Sequence, residues 1–468
     1  MSVSDTETIA GRNLDGRNLD GRNLDSRNLD SRNLDSRNVA SPHVAGRQIA
    51  GRQIAGGQVD SRQVAGGQVE GRNVELGVHP AWQLLSEYTA GADALFASPT
   101  RTVLASGNLL DRCDGSMPAG GLDLEIDRLL ASHDVPLVLA AVPYDPDGVA
   151  RVVVPESLQV CGPLDKHPLE DAMPGHALSR NGHGGSWRIT TRPTRAGYAH
   201  SVAGAVERIA AGQLAKVVLA RALDLSGGSV DANAILGRLA RHDPHGYTYA
   251  LELPPTATGG TRRLIGASPE LLVARTGRRV VARPVGGSAA RASDPIEDVR
   301  RGAALLASAK DLAEHAFVVD AVVQSLSPYC RDVVAPIQPT LVRTATMWHL
   351  LTEVTGDLLD TETSSLTLAL ALHPTPAVCG TPTAAAHAAI GELEGFDRGF
   401  YAGVVGWCDA AGDGEWAVAL RCAELRSDTI RLYAGAGIVA GSDPISEVAE
   451  TGAKFRTMLN AMGTEYDA

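Results

Sequence analysis

Four lysines stand against 38 arginines in this chain of 468 residues, and three of the four lie in segments suited to chemistry. Lys216 opens the apolar run Lys216-Val217-Val218-Leu219-Ala220-Arg221. Lys310 lies in the stretch 308–315, which also carries Glu314, and Lys454 follows Glu447 and Glu450. Scarcity of Lys beside abundant Arg and Ala commonly reflects the composition of the coding sequence, so the count alone says little. Position says more. A lysine at the mouth of a strand can be desolvated there, and unlike Arg it can then lose its proton near neutral pH and serve as a base.

Glu447 and Glu450 stand three apart behind Asp443-Pro444, a helix-start pair, so both carboxylates project from one helical face. Lys454, four beyond Glu450, shares that face. Taken alone, the segment fits an exposed helix with one ion pair, and Glu314 carries the same ambiguity. If Glu314, Glu447 and Glu450 converged they could hold Mg²⁺, which takes few carboxylates, several waters and an anionic ligand group. Glu270 begins an apolar strand within residues 266–272. A carboxyl held among apolar groups has its pKa raised and can act as a general acid; the plain alternative is an edge carboxylate facing water. The small-residue segments 284–288, with Gly287 and Ser288, and 435–438, with Gly435 and Gly437, read as turns whose backbone N–H groups could face an anion.

The elements that must position these groups follow from periodicity. A helical pattern covers 79–97 through Trp82, Leu85, Tyr88 and Leu95. Strand-like runs follow at 101–106, 136–142 and 149–155, and a Pro-, Gly- and His-rich stretch at 162–188 reads as a surface linker. Residues 198–211 read as a helix ending at Gly212, 216–225 as a strand, and 231–241 as a helix. Strands are expected at 247–253, 263–267, 270–275 and 279–284, with a turn at Thr276-Gly277. One long helix is expected over 295–326. Many antiparallel connections and no regular βαβ winding indicate an α+β or α/β body.

Residues 11–75 are thirteen consecutive five-residue units of the form small–Arg–Asn/Gln–aliphatic–Asp/Ala. A five-residue period can build a square β-helical coil, but the inward position two before the aliphatic is mostly Arg here, as at Arg12, Arg17 and Arg22. Burying unpaired Arg is costly, and one small aliphatic per unit cannot offset the entropy of ordering. A disordered polyampholyte tail is expected over 1–76, with a possible partner of unknown kind. Beyond it, an N-terminal part of the globular body spans 77–190, and its main region spans 191–465.

A net charge of −12 argues against nucleic acid or an anionic membrane as partner. No apolar stretch approaches the 18 residues a span needs, and no basic-then-apolar leader opens the chain. The six cysteines are scattered without a CxxC pair, which fits buried thiols in a reducing compartment. A cytoplasmic protein is the expectation.

Taken in order, KVVLAR from Lys216, GASPELL from Gly266, SAKDLAEH from Ser308, HPTPAVCGTP from His373, FYAGVVGW from Phe400, ALRCAEL from Ala419 and AGAGIVAGSDP from Ala434 followed by ExxE resemble the chorismate-utilising enzymes. These comprise the isochorismate, salicylate, anthranilate and aminodeoxychorismate synthases. The resemblance runs from about Tyr198 to Met462, more weakly from about Val78. It implies a large α+β body with two packed, mainly antiparallel sheets and helices outside. It implies that Lys216 activates water and that Glu270 protonates the departing C4 hydroxyl. Glu314, Glu447 and Glu450 become Mg²⁺ ligands holding the ring carboxylate of chorismate. Arg421 and Tyr401 grip the enolpyruvyl carboxylate, Lys454 and the backbone at Gly435 and Gly437 add carboxylate contacts, and His349 sits near the substrate.

Two positions discriminate within that family. Members that use ammonia carry Gln where this chain has Lys216, so Lys216 points to water as the nucleophile. Members that go on to eliminate pyruvate often carry Thr where this chain has Ala377, which resembles the isochorismate synthases instead. The expected function is therefore Mg²⁺-dependent conversion of chorismate to isochorismate, for a siderophore or for menaquinone, with a salicylate synthase as the alternative. The resemblance implies a monomer. It departs from the family pattern at 444–450, where relatives often carry Trp or Tyr and a further Glu, and in the repeats, which have no counterpart.

Overall fold

The computed structural model describes residues 74–75, 81–110, 116–118, 120–164, 187–228, 231–255 and 260–464. The repeat stretch lies outside them, apart from Val74–Glu75, a two-residue strand pairing parallel with Ser157–Cys161. Most of the linker expected at 162–188 also lies outside. The protein is α+β, built on mainly antiparallel sheets with helices packed outside them.

The largest sheet runs in the order Ser157–Cys161, Thr102–Ser106, Asp93–Ala97, Tyr247–Leu253, Arg262–Ser268, Cys422–Arg426, Thr429–Ile438, Lys216–Ser226 and Gly380–Thr381; Arg188–Arg192 also pairs with Lys216–Ser226. Its strands show the period of two that a sheet covered on both faces requires. Tyr249 and Leu251 enter one core and Ala250 the other; Phe96 and Leu95 divide the same way. The first core lies between this sheet and a second one, whose central strands Leu137–Val142, Val404–Asp409 and Gly414–Val418 contribute Leu139, Trp407 and Trp416. The second core is closed by helices Ala81–Glu87, Ala232–His242 and Pro444–Met462 through Leu84, Leu236, Phe455 and Met458. A third, three-stranded sheet joins Val285–Ala290, Met347–Leu351 and Thr340–Arg343.

Three expectations differ from the fold. The helix expected over 79–97 ends at Glu87, and Leu95 belongs to strand Asp93–Ala97. Between them Gly91 takes φ +92°, and Asp93 accepts a hydrogen bond from the Thr89 backbone N–H, a local turn that outcompetes helical continuation. The helix expected over 295–326 is two helices, Pro295–Ala307 and Ala309–Leu326. Ser308 takes extended backbone angles between them, and its hydroxyl caps the Asp311 N–H at 3.2 Å. The segments 284–288 and 435–438 are not turns; they lie in strands Val285–Ala290 and Thr429–Ile438.

The break at Ser308 matters because it lets the second helix start afresh, with Lys310 and Glu314 on its opening turns. Substituting Ser308→Ala removes the cap and should lower stability by about 1 kcal/mol. A fall in the chemical denaturation midpoint checks this; an unchanged midpoint would mean that packing alone sets the break.

Candidate active site

Sheet register and helix starts bring distant chain segments to one pocket. Its lining includes Lys216, Glu270, Gly287, Ser288, Glu314, His349, Ala377, Tyr401, Arg421, Gly435, Gly437, Glu450 and Lys454. Of the residues singled out in the sequence, Glu447 and Lys310 are not in that lining. Glu447 lies one turn before Glu450 on helix Pro444–Met462, 1% exposed, and turns to Lys310.

The backbone explains the convergence. Lys216 is the first residue of an eleven-residue strand whose antiparallel neighbour places Gly437 opposite Val218 and Gly435 opposite Ala220. Ser288 pairs with His349 across the third sheet, at a register shift between Gly286 and Ser288 where Gly287 takes φ +65°. That bulge needs glycine. Helix Pro444–Met462 is launched by Asp443, which caps the Ser446 N–H at 2.8 Å, with Pro444 in the first turn.

Close approach across the pocket wall depends on missing side chains. A Cβ on Gly437 would lie 2.0 Å from Glu314 Oε1, and one on Gly435 would lie 2.9 Å from the Tyr401 hydroxyl. A Cβ on Gly286 would meet His315 Nδ1 at 3.0 Å. The glycines taken for turn formers are therefore clearance residues within strands.

Charge is paired with care. Lys216 Nζ lies 3.2 Å from Glu314 Oε1, Lys310 Nζ 3.0 Å from Glu447 Oε1, and Lys454 Nζ 2.7 Å from Glu450 Oε1. Every lysine among the described residues thus meets one of the three carboxylates singled out in the sequence. Lys454 also donates to the Gly435 carbonyl at 2.8 Å, and Ser288 Oγ donates to Glu450 Oε1 at 2.8 Å. Burial opposes the charge on Glu450, but Lys454 and Ser288 outweigh it and hold this carboxyl below its ordinary value. Glu447 goes the other way, raised by burial and by the charge of Glu450 despite Lys310.

Glu270 differs from all three. It is 2% exposed, sits just ahead of strand Leu271–Thr276, and takes a long hydrogen bond of 3.4 Å from the Val285 N–H. Burial pushes its carboxyl up to about 7, against the opposing pull of that N–H and of Lys216, Arg421 and Lys454. The edge-strand alternative, a carboxylate facing water, does not hold. Burial and the neighbouring Arg421 and Lys454 hold His349 well below the ordinary imidazole value, so it is neutral and can accept from Arg421 Nη2 at 3.3 Å. Arg421 itself is held at φ +48°, a strained angle for a non-glycine residue, and its Nε is buried without a hydrogen-bond partner. A buried guanidinium with an unused donor, on a residue that lines a pocket, is suited to a carboxylate.

Residues 177–463 match the family model for chorismate binding enzymes. The chain belongs to this family. It is 47% identical over 396 residues to isochorismate synthase DhbC of Bacillus subtilis, covering 82% of this chain and 97% of that protein. It is 37% identical over 381 residues to isochorismate synthase EntC of Escherichia coli, covering 79% and 94%. A crystal structure of DhbC from Bacillus anthracis, described as a 2,3-dihydroxybenzoate-specific isochorismate synthase, matches with a TM-score of 0.76 and 42% identity, covering 82% of this chain and 100% of that one. Within the family the chain is an enzyme of the isochorismate synthase type. Among the described residues, no helix is long and apolar enough to cross a membrane.

Sequence reasoning passed over several groups that this chorismate-binding enzyme places at or beneath its pocket. Lys310 was visible beside Glu314, but nothing in its spacing pointed to Glu447, 137 residues away. Val218, Val378 and Leu420 line the pocket as ordinary apolar residues, with no signal to mark them. Gly437→Ala drives a methyl into the Glu314 carboxylate, and chorismate turnover should fall by about 10²-fold through misplacement of that group. A steady-state assay beside a thermal melt checks this; wild-type turnover would show that Glu314 can move aside at no cost.

Proposed function

We propose that this chain converts chorismate to isochorismate, with Lys216 as base and Glu270 as acid. One observation carries the assignment: two buried groups of opposite type line one pocket, and the carboxyl among them is raised to about 7. In the reaction, Lys216 takes a proton from water as the water oxygen bonds to C2. The ring double bonds shift by one position each, the C4–oxygen bond breaks, and Glu270 delivers a proton to the departing hydroxyl. Water enters and water leaves, so the product keeps the substrate's mass. Each proton transfer is worth ~10²–10⁴-fold.

The two carboxylates of the substrate need cationic and donor partners. Arg421, with its unused buried Nε–H, and the Tyr401 hydroxyl are assigned to the enolpyruvyl carboxylate. Lys454 and the backbone at Gly435 and Gly437 are assigned to further carboxylate contacts, and the backbone at Gly287 with Ser288 borders the ring. Neutral His349 holds Arg421 in place, and Ala377 leaves room beside the ring.

Glu314, Glu447 and Glu450 are assigned as Mg²⁺ ligands. Among the described residues, no three His, Cys, Asp or Glu side chains stand grouped as metal ligands, and each of these carboxylates lies against a lysine. The donor set nevertheless fits: three hard carboxylate groups, with Glu447 Oε2 buried and without a hydrogen-bond partner. When bound, the ion would supply positive charge for the ring carboxylate. Glu314, Glu447 and Glu450 would exchange their ammonium partners for it. We place this activity in the cytoplasm, in a monomer, feeding either a 2,3-dihydroxybenzoate siderophore or menaquinone.

Purified protein with chorismate and Mg²⁺ should yield an isomer of unchanged mass with no pyruvate, and EDTA should stop it. Salicylate appearing together with pyruvate would establish a salicylate synthase instead. Because Glu270 must be protonated to act, kcat/KM should decline as pH rises through about 7. Glu270→Gln should lower turnover by ~10²–10⁴-fold; a variant that kept near-normal turnover would remove Glu270 from the mechanism. Mg²⁺ should also raise the thermal midpoint of wild-type protein but not of Glu447→Gln, by preferential binding to the native state.

A further inference from the structure

Beneath the pocket floor lies a second pair of charges that the proposed chemistry does not use. Arg398 is 3% exposed and Glu394 4%. Arg398 Nε donates to Glu394 Oε2 at 2.9 Å, and its Nη2 meets Glu394 Oε1. The remaining donors reach two separate walls of the pocket: Nη1 to the Val378 carbonyl at 2.7 Å and Nη2 to the Val218 carbonyl at 2.8 Å. Glu394 Oε1 also accepts from the Ala220 N–H at 2.7 Å. The guanidinium lies 4.4 Å from the Tyr144 ring centre and 5.9 Å from that of Tyr401, whose own N–H donates to the Arg398 carbonyl.

Three pocket walls therefore meet at one ion pair standing at the end of helix Thr383–Leu393: the strand led by Lys216, the segment holding Ala377 and the Tyr401 turn. Such a pair is a poor stabiliser. Desolvating both charges offsets much of their attraction, and well-packed apolar replacements are often as stable. What apolar replacements cannot supply is a planar fork reaching two carbonyls and a carboxylate in fixed directions. We infer that Arg398 and Glu394 are positioning residues, which fix the strand of Lys216 against the Ala377 and Tyr401 walls. The inference rests on the proposed activity for its kinetic consequence but not for its structural one.

The double substitution Arg398→Met with Glu394→Met removes both charges together, so that no buried charge is left unpaired, and releases the Val218 and Val378 carbonyls and the Ala220 N–H. It should lower the thermal midpoint modestly, lose about 10²-fold in kcat, and change KM less, since Lys216 is misplaced while Arg421 and Lys454, which the pair does not touch, keep their carboxylate contacts. Arg398→Lys should not restore kcat, because a point charge cannot reach all three acceptors. Hydrogen exchange reads the same device without substrate. Peptides covering 216–220 and 377–381 should exchange on the order of tenfold faster in the double variant, with 404–409 unchanged. If the double variant fails to fold, Glu394→Gln serves for the same measurements, with smaller shifts in the same direction. Wild-type kcat together with unaltered exchange would overturn the assignment. An inactive wild-type protein would instead sink the proposed activity, and the exchange pattern would then decide the positioning role by itself.

Discussion

Burial of charge is the constraint on which this structure turns. Glu314, Glu447 and Glu450 are brought to one pocket and its flank, where an unpaired carboxylate would cost several kcal/mol. Each is answered by a lysine, and the pairings tie elements together. Glu314 links helix Ala309–Leu326 to the strand of Lys216. Lys310, on that same helix, links it to Glu447 on helix Pro444–Met462. Lys454, four residues beyond Glu450, also holds the Gly435 carbonyl of the large sheet. The chain spends three of its four lysines on these links, although it has 38 arginines to choose from. A compact ammonium fits beside a carboxylate in space where a planar guanidinium would not turn.

The second constraint is clearance. Two helices and two sheets can present charged groups to one small volume only if the backbone between them carries nothing. Gly435 and Gly437 serve this purpose within a strand, which is unusual because glycine weakens strands and has no side chain to contribute to the core. Here the lost packing is the condition for Glu314 and Tyr401 to come close. Gly287 adds a bulge that sets the register of Ser288 against His349.

Much of this was legible in the residues, and the reasons differ by element. Strands such as Tyr247–Leu253 and helix Ala232–His242, capped by Asp231, were read within a residue or so because their periodicity and caps are local. The break at Ser308 was missed because one hydroxyl decides it and the apolar pattern runs straight through. Leu95 was placed on a helix because its spacing from Trp82, Leu85 and Tyr88 fits one, and only a turn at Gly91 separates them. For the site, residue types and motif order named the pocket lining, but no spacing could show which ammonium meets which carboxylate. Lys310 with Glu447 and Arg398 with the Val218 carbonyl are long-range facts, set by packing between elements far apart in the chain.

The same residue type takes opposite characters in the lining of one pocket. Glu450 has an ammonium at 2.7 Å and a hydroxyl at 2.8 Å, and burial cannot keep it from ionising. Glu270 lines the same pocket, feels the same Lys454 without touching it, and has one long N–H contact at 3.4 Å. Contact decides the outcome, because direct hydrogen bonds to the charged form survive desolvation whereas attraction at a distance only tempers it. A pocket that depresses one carboxyl and raises another holds the first as an anion and lets the second keep its proton to higher pH. That division is carried by Ser288 and Lys454 on one side and by apolar burial on the other. A single-residue change at Ser288 therefore acts on Glu450 and leaves the raised carboxyl of Glu270 alone.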